Sequence, residues 1–103
     1  MVRLIALYSA PEDPAAFDAY YREVHEPIVR RYPKLREMRM TMARGLGDRP
    51  AAYYAMAEMR FDSRADLDEA LASEAGRESG RDLRNFAQAG VTLFVAEDDA
   101  TDG

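Results

Sequence analysis

The sequence contains no cysteine, no tryptophan and a single histidine. The absence of cysteine excludes disulfides, thiolate catalysis and metal sites built on cysteine, and it fits a reducing cytoplasm. One histidine also gives little support to a transition-metal site made by protein side chains alone. No run approaches the roughly 20 apolar residues that a membrane span requires. We therefore expect a cytoplasmic protein with no metal, no cofactor and no membrane contact.

Basic charge is also scarce in this chain. It has 14 Lys and Arg against 19 Asp and Glu, for a net charge of −5. A nucleic-acid partner would need a basic stripe to neutralise phosphates, and none is present. At 103 residues the chain fits one domain. We place that domain at residues 1–97 and expect residues 98–103 to form an acidic, flexible tail.

Periodicity predicts the element order β-α-β-β-α-β, with the second helix beginning after Ser63. Asp13 before Pro14 is a typical helix start, since a carboxylate caps free N–H groups and proline suits the first turn. The stretch 73–85 is polar and carries two glycines, so we expect a short or irregular helix there. The predicted strands are 2–8, 35–44, 53–61 and 90–97, and the first helix is predicted at 14–32.

This order is that of the ferredoxin-like α+β fold, a four-stranded antiparallel sheet with two helices on one face. All four strands are expected to carry apolar residues on both sides. An open sheet face would then expose a larger apolar patch than monomers tolerate. We expect two copies to pack sheet to sheet as a twofold homodimer with a barrel-like core.

The only histidine, His25, lies in the first helix just before Pro27. Pro27 has no N–H to donate, so a kink or break is expected near residues 23–25. On an ideal helix Tyr21, Val24 and Ile28 fall at the centre of the buried stripe, with His25 on its shoulder. A shoulder histidine can face a cleft as a general base, or it can be a boundary residue whose tip reaches water.

Two further sets of side chains could bind a ligand. Tyrosines supply flat apolar walls and hydroxyl donors, although core packing explains them equally well. Glu58 and Arg60 share one face of a predicted strand, where they could form an acid/base or anion site or a salt bridge at the rim. The tyrosines are Tyr8, Tyr20, Tyr21, Tyr32, Tyr53 and Tyr54.

Residues 17–27 (FDAYYREVHEP) contain the pattern Tyr-x-x-x-His-x-Pro, formed by Tyr21, His25 and Pro27. This segment resembles EthD-type proteins of the dimeric α+β barrel superfamily. The resemblance implies the fold, the dimer and a pocket that includes His25. It continues through Tyr32-Pro33, Tyr53-Tyr54, Ala57-Glu58, Asn85-Phe86 and Gly90 to Leu93.

Two classes of function follow from this resemblance. The first is a cofactor-independent enzyme, similar to cyclases, dehydratases or monooxygenases, that acts on an aromatic or polyketide-like metabolite with His25 as general base. The second is a non-catalytic accessory protein that binds such a molecule for a partner oxygenase in a degradation pathway. A haem-degrading role would instead require His25 as an axial ligand. In the first reading the substrate contacts Tyr8, Tyr21, Tyr32, Tyr54 and Glu58.

Overall fold

The computed structural model describes residues 1–99, which form a four-stranded antiparallel sheet with helices on one face. The strands lie in the order β2-β3-β1-β4. This arrangement confirms the α+β, ferredoxin-like fold expected from the sequence. The strands are β1 (Val2–Tyr8), β2 (Glu37–Met42), β3 (Ala55–Phe61) and β4 (Val91–Glu97), and the helices are α1 (Pro14–Tyr20), α2 (Glu26–Val29), α3 (Arg64–Ala72) and α4 (Glu74–Phe86), with a π-helical turn at Tyr21–His25 between α1 and α2.

The core lies between the sheet and the helices, on what we call the inner face of the sheet. Alternate residues of the two central strands point into it, because side chains of a strand alternate between its faces. Tyr8 and Phe61 are each only 1% exposed, and Leu67 of α3 packs with them at 0%. The remaining inner-face residues of β1 and β3 are Val2, Leu4, Ala6, Ala55, Ala57 and Met59.

Helix α4 is regular over all 13 of its residues, so the expectation of a short or irregular helix at 73–85 was wrong. Its first turn is capped by the Ser73 hydroxyl, which accepts from the Gly76 N–H at 3.1 Å. A Cβ on Gly76 would lie 2.2 Å from the Ala70 carbonyl oxygen, so this glycine permits α3 and α4 to touch. Burial of one face of α4 offsets the weak helix propensity of its glycines.

The other side of the sheet, which we call the outer face, carries no helix. Our expectation of apolar residues on both sides of every strand was wrong for β2. Its outer residues are Glu37, Arg39 and Thr41, opposite the inner residues Met38, Met40 and Met42. Apolar side chains on the outer face come from the other strands and include Ile5, Leu7, Met56 and Phe94.

The described chain ends beside the N-terminus. The Asp98 carboxylate lies 3.4 Å from Nη2 of Arg3, and its backbone N–H donates to the Met1 carbonyl at 3.2 Å. The first residue of the expected tail is therefore held against the sheet, whereas residues 100–103 lie outside the described part. No helix within residues 1–99 has the length and apolar character needed to cross a membrane.

Candidate functional site

The π-helical turn at Tyr21–His25 decides where the single histidine points. The Glu26 N–H donates to the Tyr21 carbonyl, five residues back, and Pro27 follows with no N–H of its own. The expected break near residues 23–25 is thus confirmed. A turn closed over five residues holds more residues than an α turn, so it shifts the phase of everything that follows. His25 is 4% exposed and Val24 39% exposed, the reverse of the ideal-helix expectation.

Within this buried position His25 is paired with Asp82 of α4. The imidazole Nδ1 lies 2.9 Å from Oδ2 of Asp82, and both residues are buried. The π turn supplies the histidine and the regular helix α4 supplies the carboxylate. Asp82 was not expected as a site residue, because stretch 73–85 was interpreted as irregular. The spacing of Ser79, Asp82 and Phe86 along one helical face was the available signal.

Asp82 is held by further donors besides His25. Its Oδ1 accepts from the Tyr20 hydroxyl at 2.6 Å and from Nδ2 of Asn85 at 3.0 Å. Burial raises the pKa of Asp82, but the hydrogen bonds from Tyr20, Asn85 and His25 outweigh it, so the net pKa lies below the ordinary value. The carboxylate is therefore ionised at neutral pH and can only accept hydrogen bonds.

An ionised Asp82 fixes the tautomer of the imidazole. Nδ1 must carry the proton that it donates to the carboxylate, which leaves the lone pair on Nε2. Burial lowers the pKa of His25 below its ordinary value, and the hydrogen bond and charge of Asp82 offset this only in part. His25 is therefore neutral at pH 7, with Nε2 able to accept a proton.

His25 lines a cavity of about 280 Å³ between the inner face of the sheet and the helices. Most of its walls are apolar, and no lysine, arginine, aspartate or glutamate is among the described residues that line it. Besides His25, its polar lining consists of Tyr8, Tyr21, Tyr32 and Ser79. The apolar walls come mainly from Leu4, Ala6, Val29, Ala57, Met59, Leu83, Leu93 and Val95.

The tyrosine hydroxyls of this cavity differ in their partners. The Tyr32 hydroxyl lies 2.5 Å from the Ser79 hydroxyl, which in turn donates to the Gly76 carbonyl at 2.9 Å. The Tyr21 hydroxyl is buried and has no partner among the described residues. Burial raises the pKa of Tyr21, so this hydroxyl keeps its proton at neutral pH.

Two of the expected ligand contacts lie elsewhere. Tyr54 donates its hydroxyl to the Asp18 carboxylate at 2.9 Å and does not line the cavity. Glu58 points to the outer face of the sheet, where it belongs to a cluster with Arg3, Glu37, Arg39 and Arg60. The expected Glu58–Arg60 pair is not formed, since Arg60 instead lies 3.6 Å from Glu37.

Two relatives match this chain over nearly its full length. An uncharacterised 11.0 kDa protein in the thcB–thcC intergenic region of Rhodococcus erythropolis is 34% identical over 99 residues, which are 96% of each chain. The crystal structure of an EthD family protein from Bacillus halodurans is 39% identical and superposes with a TM-score of 0.89. That superposition covers 96% of this chain and 99% of the other.

More distant structures share the fold alone. A variant of SnoaB, a cofactor-independent oxygenase from Streptomyces nogalater, is 14% identical with a TM-score of 0.67, covering 94% of this chain and 91% of its own. A dimeric ferredoxin-like protein from Jannaschia is 18% identical with a TM-score of 0.69, covering 94% and 98%. The EthD domain model matches residues 9–90, most of the chain. Together with the two closer relatives, this match shows that the chain belongs to the EthD family.

Proposed function

We propose that the protein binds a neutral, largely apolar molecule in this cavity and removes a proton from it, with His25 as general base and no cofactor. The observation that carries the proposal is the buried His25–Asp82 pair, 2.9 Å long, on a histidine that lines an apolar cavity and keeps the lone pair of its Nε2. A proton taken from an O–H or an activated C–H would produce an imidazolium beside the Asp82 carboxylate, which stabilises it.

The chemistry of the cavity wall narrows the substrate class. Without a lysine or arginine in the described lining, a phosphate, sulfate or carboxylate would enter with no counter-charge and would lose its hydration. A phenol, an enol or an enolisable ketone is neutral when bound and acquires charge only during proton transfer. An aromatic or polyketide-like metabolite therefore fits this site better than an anionic one.

The Tyr21 hydroxyl supplies the complementary group. A buried hydroxyl without a partner is about 1–3 kcal/mol less favourable than a bonded one, so a ligand oxygen that accepts from Tyr21 gains that stabilisation on binding. The same hydrogen bond strengthens when the oxygen becomes negative. In this proposal His25 takes the proton and Tyr21 holds the oxygen.

A homodimer is the second part of the proposal. The outer face combines Ile5, Met56 and Phe94 with the adjoining charged cluster, and Phe94 is 44% exposed in the single chain. Face-to-face packing of two such sheets would cover these side chains. The dimeric description of the Jannaschia protein supports this arrangement.

An accessory role remains the second candidate, and one observation favours it. Apart from His25, the described cavity lining offers only hydroxyl groups, so it holds no second acid or base for a multistep reaction. A carrier for a partner oxygenase would need the apolar walls and the Tyr21 donor, but it would not need a basic Nε2. The description of SnoaB as an oxygenase without a cofactor supports the enzyme instead.

The test uses 2-naphthol, a neutral phenol whose anion has its own absorbance band. The wild-type protein should bind it and lower the pH at which the bound molecule ionises. His25→Gln should bind it with similar affinity but leave its ionisation unchanged, because glutamine cannot accept a proton. Once a substrate is known, the same variant should lower turnover by about 10²–10⁴-fold.

Thermal melts of His25→Ala and His25→Gln complete the experiment. If the melting temperature falls while 2-naphthol binding and ionisation stay normal, His25 is structural and the base proposal is wrong. If wild-type protein binds the probe without shifting its ionisation, the accessory role becomes the better explanation.

A further inference from the structure

Gly80 lies in the middle of α4, where glycine destabilises a helix relative to alanine. The protein itself gives no steric reason for it. Apart from its chain neighbours and the backbone of its own helix, a Cβ built on Gly80 would meet no atom of residues 1–99 within 4 Å. The residue is exposed, and its main chain lines the cavity beside His25.

Gly76, one turn earlier on the same helix, is a glycine that close packing does require. Its Cβ would fall 2.2 Å from the Ala70 carbonyl oxygen and 2.5 Å from that of Leu71. The close contact between α3 and α4 thus explains Gly76 completely. The empty space above Gly80 needs another explanation.

That space opens at the mouth of the cavity. The mouth is marked by those lining residues that are themselves exposed. Two of them are large and apolar with side chains on the helical side of the sheet. Leu71 of α3 is 39% exposed and Leu93 of β4 is 51% exposed. Apolar side chains of this size are usually covered, so the rim is suited to contact with something apolar.

A second observation points to a ligand in the same cavity. Tyr21 is a lining residue that is only 4% exposed, and its hydroxyl has no partner among residues 1–99. The two lining residues that carry an unpaired polar atom, Tyr21 and His25, are both 4% exposed, whereas Leu71 and Leu93 are apolar and exposed. The two ends of the cavity therefore favour different ends of one molecule.

We propose that Gly80 is a specificity-determining residue that keeps the mouth open for an apolar extension of the ligand. The class of ligand is an elongated molecule with an ionisable hydroxyl or enol at one end and an alkyl chain or further rings at the other. The ionisable end reaches His25 and the extension passes over Gly80, between Leu71 and Leu93. The polar end of this assignment rests on the proposed function, whereas the role of Gly80 stands on the mouth alone.

The experiment compares two probes that differ only in length, 4-ethylphenol and 4-octylphenol. Their dissociation constants are measured by calorimetry on wild-type protein, Gly80→Ala and Gly80→Leu. Arg81→Leu is the matched control, because it places the same side chain at the adjacent exposed position, which does not line the cavity. Thermal melts check folding, and both Gly80 variants should melt no lower than wild type.

The wild-type protein should bind 4-octylphenol at least 10-fold more tightly than 4-ethylphenol. Gly80→Leu should weaken 4-octylphenol by 10-fold or more and leave 4-ethylphenol within about 2-fold, with Gly80→Ala between wild type and Gly80→Leu. Arg81→Leu should change neither probe. Equal loss of both probes, or no loss of either, would overturn the proposal.

A second copy of the chain is the competing occupant of this rim. Sedimentation equilibrium of Gly80→Leu separates the two cases. If the dissociation constant of self-association rises 10-fold while 4-octylphenol binding is unchanged, Gly80 belongs to an interface between two copies. His25→Gln distinguishes this proposal from the proposed function. Suppose that His25→Gln still binds 4-octylphenol more tightly than 4-ethylphenol while no probe ionises on the wild-type protein. That result would show that His25 is not a general base and would leave the role of Gly80 at the mouth intact.

Discussion

The two faces of the sheet use their charged groups in opposite ways. On the inner face, the His25–Asp82 pair is buried, 2.9 Å long and surrounded by rings, with Phe86 4.6 Å from the imidazole between centroids. On the outer face, Glu37 lies 3.3 Å from Arg39 and 3.6 Å from Arg60, all partly exposed. Water screens the second set and cannot screen the first. The pair on the inner face is therefore shielded from water, whereas the charges on the outer face are screened by it.

The largest expected effect is a difference in stability between variants of the buried His25–Asp82 pair and of the exposed pairs formed by Glu37. Asp82→Ala leaves the donors of His25, Tyr20 and Asn85 without their acceptor and should lower the free energy of unfolding by about 1–3 kcal/mol for each donor that stays buried and unsatisfied. Glu37→Ala removes an exposed carboxylate and should lower it by less than about 1 kcal/mol. Urea denaturation of both variants measures the difference. Equal losses would show that the two faces do not differ in this way.

The outer face should respond to charge through assembly. Met56→Glu places a carboxylate among its apolar side chains and should raise the dissociation constant of the dimer by about 100-fold or more, because burying unpaired carboxylates is unfavourable. Val24→Glu is the matched control, since Val24 is an exposed apolar residue on the helical side. Sedimentation equilibrium at micromolar concentration measures the dissociation constant of the dimer for both variants. A wild-type protein that stays at 11.6 kDa would contradict the dimer.

On the inner face, removing the hydroxyl should affect the free energy of unfolding differently at Tyr32 and at Tyr21. Tyr32→Phe breaks the hydrogen bond to Ser79 and should lower the free energy of unfolding by about 1 kcal/mol. Tyr21→Phe removes a buried hydroxyl that has no described partner, so it should leave stability unchanged or raise it while weakening 2-naphthol binding. Thermal melts and probe titrations of both variants measure this. A destabilised Tyr21→Phe would indicate that its hydroxyl already has a partner in the free protein.

The smallest expected effect is the pH dependence of stability. The pKa of His25 in the folded protein lies below 6.5, its unperturbed value, so the unfolded chain binds the proton first as pH falls. The contribution of His25 is therefore complete above about pH 6.5 and is lost as pH falls below it. The pKa of Asp82 is also lowered, from 3.8, so its contribution is lost in more acidic solution.

His25→Gln isolates the first of these two contributions. Between about pH 5 and pH 7 its free energy of unfolding should change less with pH than that of the wild type. Urea denaturation at several pH values gives both slopes. A wild-type slope no steeper than that of the variant would mean that the pKa of His25 is not lowered on folding.

Signals within a few residues of one another predicted much of this structure. The apolar run of β1 was placed at 2–8, as observed, and Asp13 caps α1 by accepting from the Ala16 N–H at 3.1 Å. The missing N–H of Pro27 predicted the break in the first helix. Each of these features depends on residues that are neighbours along the chain, so a single sequence is enough to predict them.

The partners within the site were harder to predict because they come from distant parts of the chain. Asp82 is 57 residues from His25, and no local pattern joins them. Glu58 was predicted to contact the substrate. The sequence predicted its strand correctly, but it did not indicate which face of the sheet carries the cavity. The burial of His25 required the π turn, whose phase shift an ideal helical wheel does not contain.

The π turn also makes this stretch of chain unequally tolerant of changes in length. Deleting one residue between Tyr21 and His25 would remove the extra residue of the π turn and return the segment to α-helical spacing, with only the hydrogen bond that Pro27 cannot donate still missing. At about 100° per residue the imidazole would still face the sheet. Inserting one residue there would carry the imidazole about 100° further round, toward solvent. Among proteins built on this pattern, a gap of one position in the segment is therefore compatible with an intact site, whereas an added position is not.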